Sequence, residues 1–234
     1  MSKKKRPAQR PVQVQTAENI KPSLMVAVPA MDMMYTTTCQ YLVGLAVPPG
    51  TWFHFTRGSL IYDARNLISV AAVEGGVDKV LWVDSDMEFS QDAFVKLSNT
   101  MDETGADVVS AIAFTRKDPI LPVIYNELKQ EQQGDKMLTT RQFYYDYPKD
   151  SAFEIAGCGF GFALTRVSML KKVIEAMGAP FTPRPALGED LSFCLRVREL
   201  GGKIVCDSRV KVAHIGLVHI SEGKILLDGE KDDG

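Results

Sequence analysis

Short apolar runs with no polar alternation, set between segments of helical period, constrain this chain more than any other feature. LMVAVP (24–29), KVLWV (79–83) and DVVSAIAF (107–114) leave no stripe for solvent. Runs of this kind fit strands covered on both faces, as in parallel sheets. Leu60, Ile61, Ala64, Leu67, Ile68, Ala71 and Ala72 recur at i, i+3 and i+4, and Gly75-Gly76 stops the ladder. A helix is expected over Thr36–Ala46, and a strand at TWFHFT (51–56). Ser90 is expected to cap a helix bearing Phe94, Leu97 and Met101, which Gly105 ends. This alternation predicts an α/β fold, a Rossmann-like, mostly parallel sheet with helices on both faces. Sites in such sheets lie outside the carboxyl ends of the strands.

The second half changes character. NELKQEQQGDKMLTTRQ (126–142) is polar and reads as a mobile loop or hairpin tip. FYYDYP (143–148) reads as a strand or as a wall for a ring-shaped ligand. EIAGCGFGFALT (154–165) is apolar but carries Gly157, Gly159 and Gly161, a pattern that marks close approach to the backbone. Val167, Leu170, Ile174 and Met177 define one helix face. After the proline-rich PFTPRPALG (180–188), Glu189-Asp190 open a helix that Gly201-Gly202 close, and KIVCD and VKVAHIG are expected as the last two strands.

With 234 residues the chain suits a single domain, expected over 23–220. Residues 1–22 are basic and poor in large apolar groups, so a disordered tail is expected; 221–234 reads as a flexible acidic tail. Lys3–Arg6 is either a solvated segment or an anchor for anionic lipid at a membrane surface or for a partner. A net charge of −2 provides no field for nucleic acid. No run reaches the roughly 18–20 apolar residues of a membrane span. The opening MSKKKRPAQRPVQVQ lacks the apolar core of a secretory signal. Cys39, Cys158, Cys194 and Cys206 show no CxxC spacing, so reduced thiols in a cytoplasmic protein are expected.

The chemistry concentrates in VLWVDSDMEF (80–89). In an extended segment Asp84 and Asp86 point the same way and Ser85 turns aside. Two readings fit: a solvated turn, or a divalent-cation site in which Mg²⁺ or Mn²⁺ is held by carboxylates and meets a diphosphate. Glu189 and Asp190 stabilise a helix N-terminus, or use its field to keep a carboxylate ionised as a general base. His214 is a packed, hydrogen-bonded residue or a neutral imidazole ligand. His54 and His219 are expected to be structural.

In order and spacing, LMVAVPAMD, YDARNLISVAAVEGGVDKVLWVDSDMEF, GCGFGFALTRVSML and GEDLSFCLRVRELGGKIVCDSRVKVAHIG resemble the GT-A glycosyltransferases, the family 2-like group in particular, over roughly residues 24–216. The resemblance implies a GT-A fold and hexosyl transfer from a nucleotide-sugar, with a UDP-sugar favoured. The acceptor would be a glycan, lipid or protein. By the same resemblance Asp84 approaches the ribose or the metal, and Asp86 and His214 ligate Mn²⁺ or Mg²⁺. Asp190 matches the catalytic base of inverting members, with Glu189 beside it. Pro29, Asp32 and Arg65, together with Asp84 and Ser85, match positions near the nucleotide. Gly157, Cys158, Gly159 and Phe160 match the place where donor sugar and acceptor meet. PAMDMM departs from the usual Pro-x-x-Asn/Asp-Glu run, and Gly159-Phe160-Gly161 is tighter than usual. Retaining members are also resembled, so inversion and retention both stand. The lack of membrane helices argues against a processive polymer synthase.

Three other classes compete. A nucleotidyltransferase needs a glycine-rich, basic phosphate loop, and PAMDMMYTTT (29–38) has no glycine, lysine or arginine. A binding module for sugar or nucleotide would use the same crevice without Asp190. A structural domain would carry these acids as surface groups.

Overall fold

The computed structural model describes residues 22–57, 60–116 and 119–216. Strand β1 (Leu24–Ala30) is buried along nearly all its length, as an unbroken apolar run requires. It pairs in parallel with β2 (Trp52–Arg57) and β3 (Lys79–Val83), and α1 (Thr36–Gly44) and α2 (Ile61–Gly75) make the crossovers. Gly76 ends α2 at φ 63°, the left-handed conformation that glycine adopts without steric cost.

After β3 come β4 (Met87–Phe89), α3 (Ala93–Thr104) and β5 (Val108–Ile112). β3 and β5 are not neighbours. A later strand, β10 (Phe162–Arg166), lies between them and runs antiparallel to both. β11 (Ile204–His214) pairs in parallel with β5, and antiparallel with β4 and with β8 (Ala152–Glu154). The sheet order is β2-β1-β3-β10-β5-β11-β4, in which β1, β2, β3, β5 and β11 share one direction. The expected mostly parallel sheet is present, with one reversed strand at its middle. β6 (Ile124–Gln133), β7 (Lys136–Phe143) and β9 (Gly157–Cys158) form a second, smaller sheet.

Helices cover both faces. On one, Ile68 and Ala72 of α2, Leu170 of α4 (Val167–Met177) and Phe193 of α5 (Glu189–Glu199) are buried in a cluster with Met25, Ala27 and Trp82. On the other, Leu42 of α1 and Leu97 and Met101 of α3 join Leu24, Val26, Leu81 and Val109. Each fully buried aliphatic side chain contributes about 1.5–3 kcal/mol relative to exposure, so these two layers fix where the strand ends point.

Several expectations are corrected. Of the two readings of residues 126–142, the mobile loop falls and the hairpin holds: most lie in the β6–β7 hairpin, which turns at Gly134, φ 60°. The polar alternation there belongs to a hairpin with little buried surface. Ser90 does not cap α3; its Oγ donates to Asp92 Oδ1 at 2.6 Å, and Asp92 holds the cap position without a side-chain cap bond. KIVCD and VKVAHIG are one strand with an irregularity between Cys206 and Lys211. Its polar centre is tolerated because the buried Asp207 carboxylate accepts from Thr100 Oγ1 and Arg209. All four cysteines are free. Among the described residues no helix is long and apolar enough to cross a membrane. The basic tail with Lys3–Arg6, the acidic tail and His219 lie outside the described residues.

Candidate active site

Asp84 follows the last residue of β3, and its N–H donates to the Gly161 carbonyl at 2.9 Å. The antiparallel pairing of β10, Phe162 opposite Val83, sets that contact. β4 then turns the chain onto β11, with His214 opposite Met87, and the Ile215 N–H donates to the Asp86 carbonyl at 2.7 Å. This register brings the imidazole to the acidic doublet: ligand atoms of Asp84, Asp86 and His214 all lie within 4.8 Å of one another.

His214 Nδ1 lies 2.7 Å from the Phe114 carbonyl oxygen. A carbonyl only accepts, so Nδ1 carries a proton, and in the neutral tautomer that leaves the lone pair on Nε2. A Cβ on Gly161 would stand 3.3 Å from that Nε2 and 3.5 Å from Asp84 Oδ2. Glycine therefore keeps open the space that both atoms border. Two carboxylates and one imidazole around such a space suit Mn²⁺, and Mg²⁺ through the oxygens. The residues present fit a divalent ion.

The three groups sit at the edge of a cleft of about 730 Å³, which Pro29, Asp32, Ser85, Tyr62 and Arg116 also line. Asp32 is exposed and Pro29 buried. The Ser85 carbonyl accepts from the Tyr35 N–H at 3.0 Å, which ties the segment after β1 to the doublet. Arg116 Nη1 forms an ion pair with Asp86 Oδ2.

Arg65, on α2, stands behind the cleft and is 1% exposed. Its Nη2 donates to Asp84 Oδ1 at 2.9 Å, and its Nε lies 3.7 Å from both Glu189 Oε1 and Asp190 Oδ1. The guanidinium lies 5.7–5.9 Å from the ring centres of Trp82, Phe160 and Phe181. Burial opposes its charge, but Asp84, Asp190 and Glu189 hold its pKa above the ordinary value. Burial raises the Asp84 carboxyl, and the adjoining Arg65 works against that rise.

Asp190 departs from the expectation that the helix field keeps its pKa low. Burial pushes it up to about 7; Arg65 pulls it down, while Glu189 and Asp84 add to the rise. Its Oδ2 accepts from the Phe160 N–H at 3.2 Å, whereas its buried Oδ1 has no hydrogen-bond partner. That oxygen faces Arg65 Nε at 3.7 Å, so Arg65 balances the Asp190 carboxylate without a hydrogen bond to it.

The glycine-rich segment contributes mainly backbone. Gly157 and Cys158 are buried, and Cys194 Sγ lies 3.5 Å from the Cys158 N–H. Phe160 is fully buried among aromatic rings. Gly159 is half-buried, and a Cβ there would stand 2.9 Å from Val123 Cγ1 and 3.7 Å from Asp190 Oδ2. His54, on edge strand β2, packs edge-on to Trp52 away from the doublet. Sequence reasoning passed over Arg116. Arg116 could have been found, because FTR follows the apolar run of β5 and so emerges at the same end of the sheet.

No family model matches the chain, and no curated protein matches it by sequence. Solved structures do. The A197 protein from STIV matches with a TM-score of 0.57 at 18% identity, over 82% of this chain and 85% of that one. GalNAc-T7 with UDP, GalNAc and Mn²⁺ matches with a TM-score of 0.56 at 12% identity, over 85% of this chain. This chain spans 44% of that longer one. Such likenesses define the fold: a single mixed α/β domain of the GT-A type.

Proposed function

We infer that the chain is a metal-dependent glycosyltransferase. It moves a sugar from a nucleoside-diphosphate sugar, with a UDP-sugar favoured, to the hydroxyl of a glycan, lipid or protein acceptor, inverting the anomeric centre. One observation carries this reading: a three-residue donor set and the Asp190 carboxylate are joined through one buried arginine, Arg65. The donor class is supported by the UDP, GalNAc and Mn²⁺ in the GalNAc-T7 structure of like fold.

Asp84, Asp86 and His214 would hold Mn²⁺ or Mg²⁺, and a bound ion would neutralise charge on the departing nucleoside diphosphate. Pro29, Asp32 and Ser85 line the part of the cleft assigned to the nucleotide. The Asp190 carboxylate takes the proton of the acceptor hydroxyl as the hydroxyl oxygen bonds to the anomeric carbon. The bond from that carbon to the diphosphate oxygen breaks, and its electron pair leaves with the diphosphate. The Phe160 N–H donates to Oδ2 and so orients the carboxylate. Placed proton transfer of this kind is worth on the order of 10²–10⁴ in rate.

A panel of nucleotide-sugars with Mn²⁺, scored by nucleoside diphosphate release, tests the reading. One donor family should be hydrolysed slowly without acceptor, and Asp86→Ala should be inactive. Asp190→Asn should keep nucleotide affinity and lose turnover. The anomeric configuration of the product, read by NMR, separates inversion from retention. Binding of a nucleotide-sugar with no diphosphate release from any donor would instead mark a binding module.

A further inference from the structure

Arg116 is a charged group of the cleft that the proposed reaction has not used. It lies just beyond β5, and its side chain is 57% exposed. The base of its segment is pinned, because the Thr115 N–H donates to the Leu121 carbonyl at 2.9 Å and the Val123 N–H to the Ala113 carbonyl at 2.8 Å. The backbone is therefore held near the doublet while the long side chain remains free to move. Its guanidinium pairs with Asp86, a carboxylate only 13% exposed and one of the three groups that would hold a divalent ion.

A guanidinium and a divalent cation on one carboxylate repel each other. An arriving ion therefore competes with Arg116 for Asp86. The displaced side chain stays within the same cleft, since Arg116 lines it beside Asp84, Ser85 and His214. A nucleoside diphosphate bound to the ion would bring anionic oxygens to that spot, and the planar fork of arginine pairs with phosphate oxygens in two-point fashion.

We propose that Arg116 is a donor-positioning residue that exchanges partners, neutralising Asp86 before the ion arrives and gripping the donor diphosphate afterwards. The proposal rests on the metal-and-diphosphate part of the transferase reading. It makes ion and nucleotide bind with positive coupling, because the ion alone must strip Arg116 of its partner, whereas the ion with diphosphate supplies a new one.

The exchange predicts effects of opposite sign from one substitution. Arg116→Gln should bind Mn²⁺ alone about fivefold more tightly than the unaltered chain, as expected for loss of a partly exposed competing pair. At saturating Mn²⁺ the same variant should bind UDP about tenfold more weakly, having lost a charge-assisted contact. Arg116→Lys keeps the charge and should restore the weaker Mn²⁺ affinity. Mn²⁺ binding is read by electron paramagnetic resonance without nucleotide, and UDP binding by calorimetry. Unchanged or weaker Mn²⁺ binding by Arg116→Gln overturns the exchange while leaving the metal site intact. Absence of Mn²⁺ binding by the unaltered chain overturns both. Tighter Mn²⁺ and weaker UDP binding without turnover of any sugar donor supports the exchange and removes the transferase reading.

Discussion

Arg65 donates to Asp84 across 2.9 Å from a position that solvent hardly reaches. The same guanidinium faces Glu189 and Asp190, so one cation balances carboxylates from two distant parts of the chain. Arg65→Met should leave this acidic group uncompensated and cost about 3–5 kcal/mol, the usual range for breaking a buried ion pair. Arg65→Lys retains the charge, loses the fork and should cost less. Urea denaturation midpoints of the two variants check the order, and equal losses would show that the charge is not what matters.

Gly161 predicts a separable defect. A methyl group there would stand 3.3 Å from both His214 Nε2 and Met87 Sδ. Gly161→Ala should lower Mn²⁺ affinity by roughly 10–100-fold, the range seen when the surroundings of a metal ligand are disturbed. Thermal stability without metal should change little. A calorimetric titration with Mn²⁺ beside a melting curve distinguishes loss of the site from loss of the fold.

Binding of an ion to the folded state alone stabilises it by mass action, by about 2.7 kcal/mol at a hundred times the dissociation constant. Mn²⁺ should therefore raise the melting temperature of the unaltered chain. His214→Ala and Asp86→Ala should each abolish most of that rise. A full Mn²⁺-dependent shift in both variants would place the ion elsewhere.

Asp190 gives the pH dependence. Its ordinary value of 3.8 is raised to about 7 in the folded chain, chiefly by burial. Between those values the folded state keeps a proton that the unfolded state has released, so this residue's contribution to stability falls as pH rises through that window. The loss is complete above about 7. Asp190→Asn should flatten this part of the stability profile and be the more stable protein at pH 8. In the transferase reading, turnover should climb through the same window as the base ionises, so activity and this part of the stability run in opposite directions. Chemical denaturation at several pH values and a pH–rate profile provide the check.

The parallel strands were legible because their apolar runs are continuous, and α2 because its ladder ends in two glycines. The doublet was legible because Asp84 and Asp86 follow such a run directly. β4 was not: MEF is three residues long and exists through its pairing with β11, which no local pattern announces. That hidden strand is what brings His214 to Asp86. The direction of the Asp190 shift was also illegible. A helix N-terminus favours the anion, but the packing around α5 buries the group, and burial has the larger effect. The resemblance put Cys158 and Phe160 where donor sugar and acceptor meet; their side chains are buried.

The reversed strand β10 has a consequence for how the molecule is made. It separates β3 from β5, yet it is translated some fifty residues after β5 ends. A nascent or truncated chain that stops short of it carries two open, apolar edges facing one another with nothing between them, an arrangement prone to wrong pairing. Asp84 also takes its backbone partner from Gly161, at the start of that late segment. The segment before β10 thus bears Asp84 and Asp86 but cannot assemble their pocket, and synthesis must pass His214 before the three groups can meet.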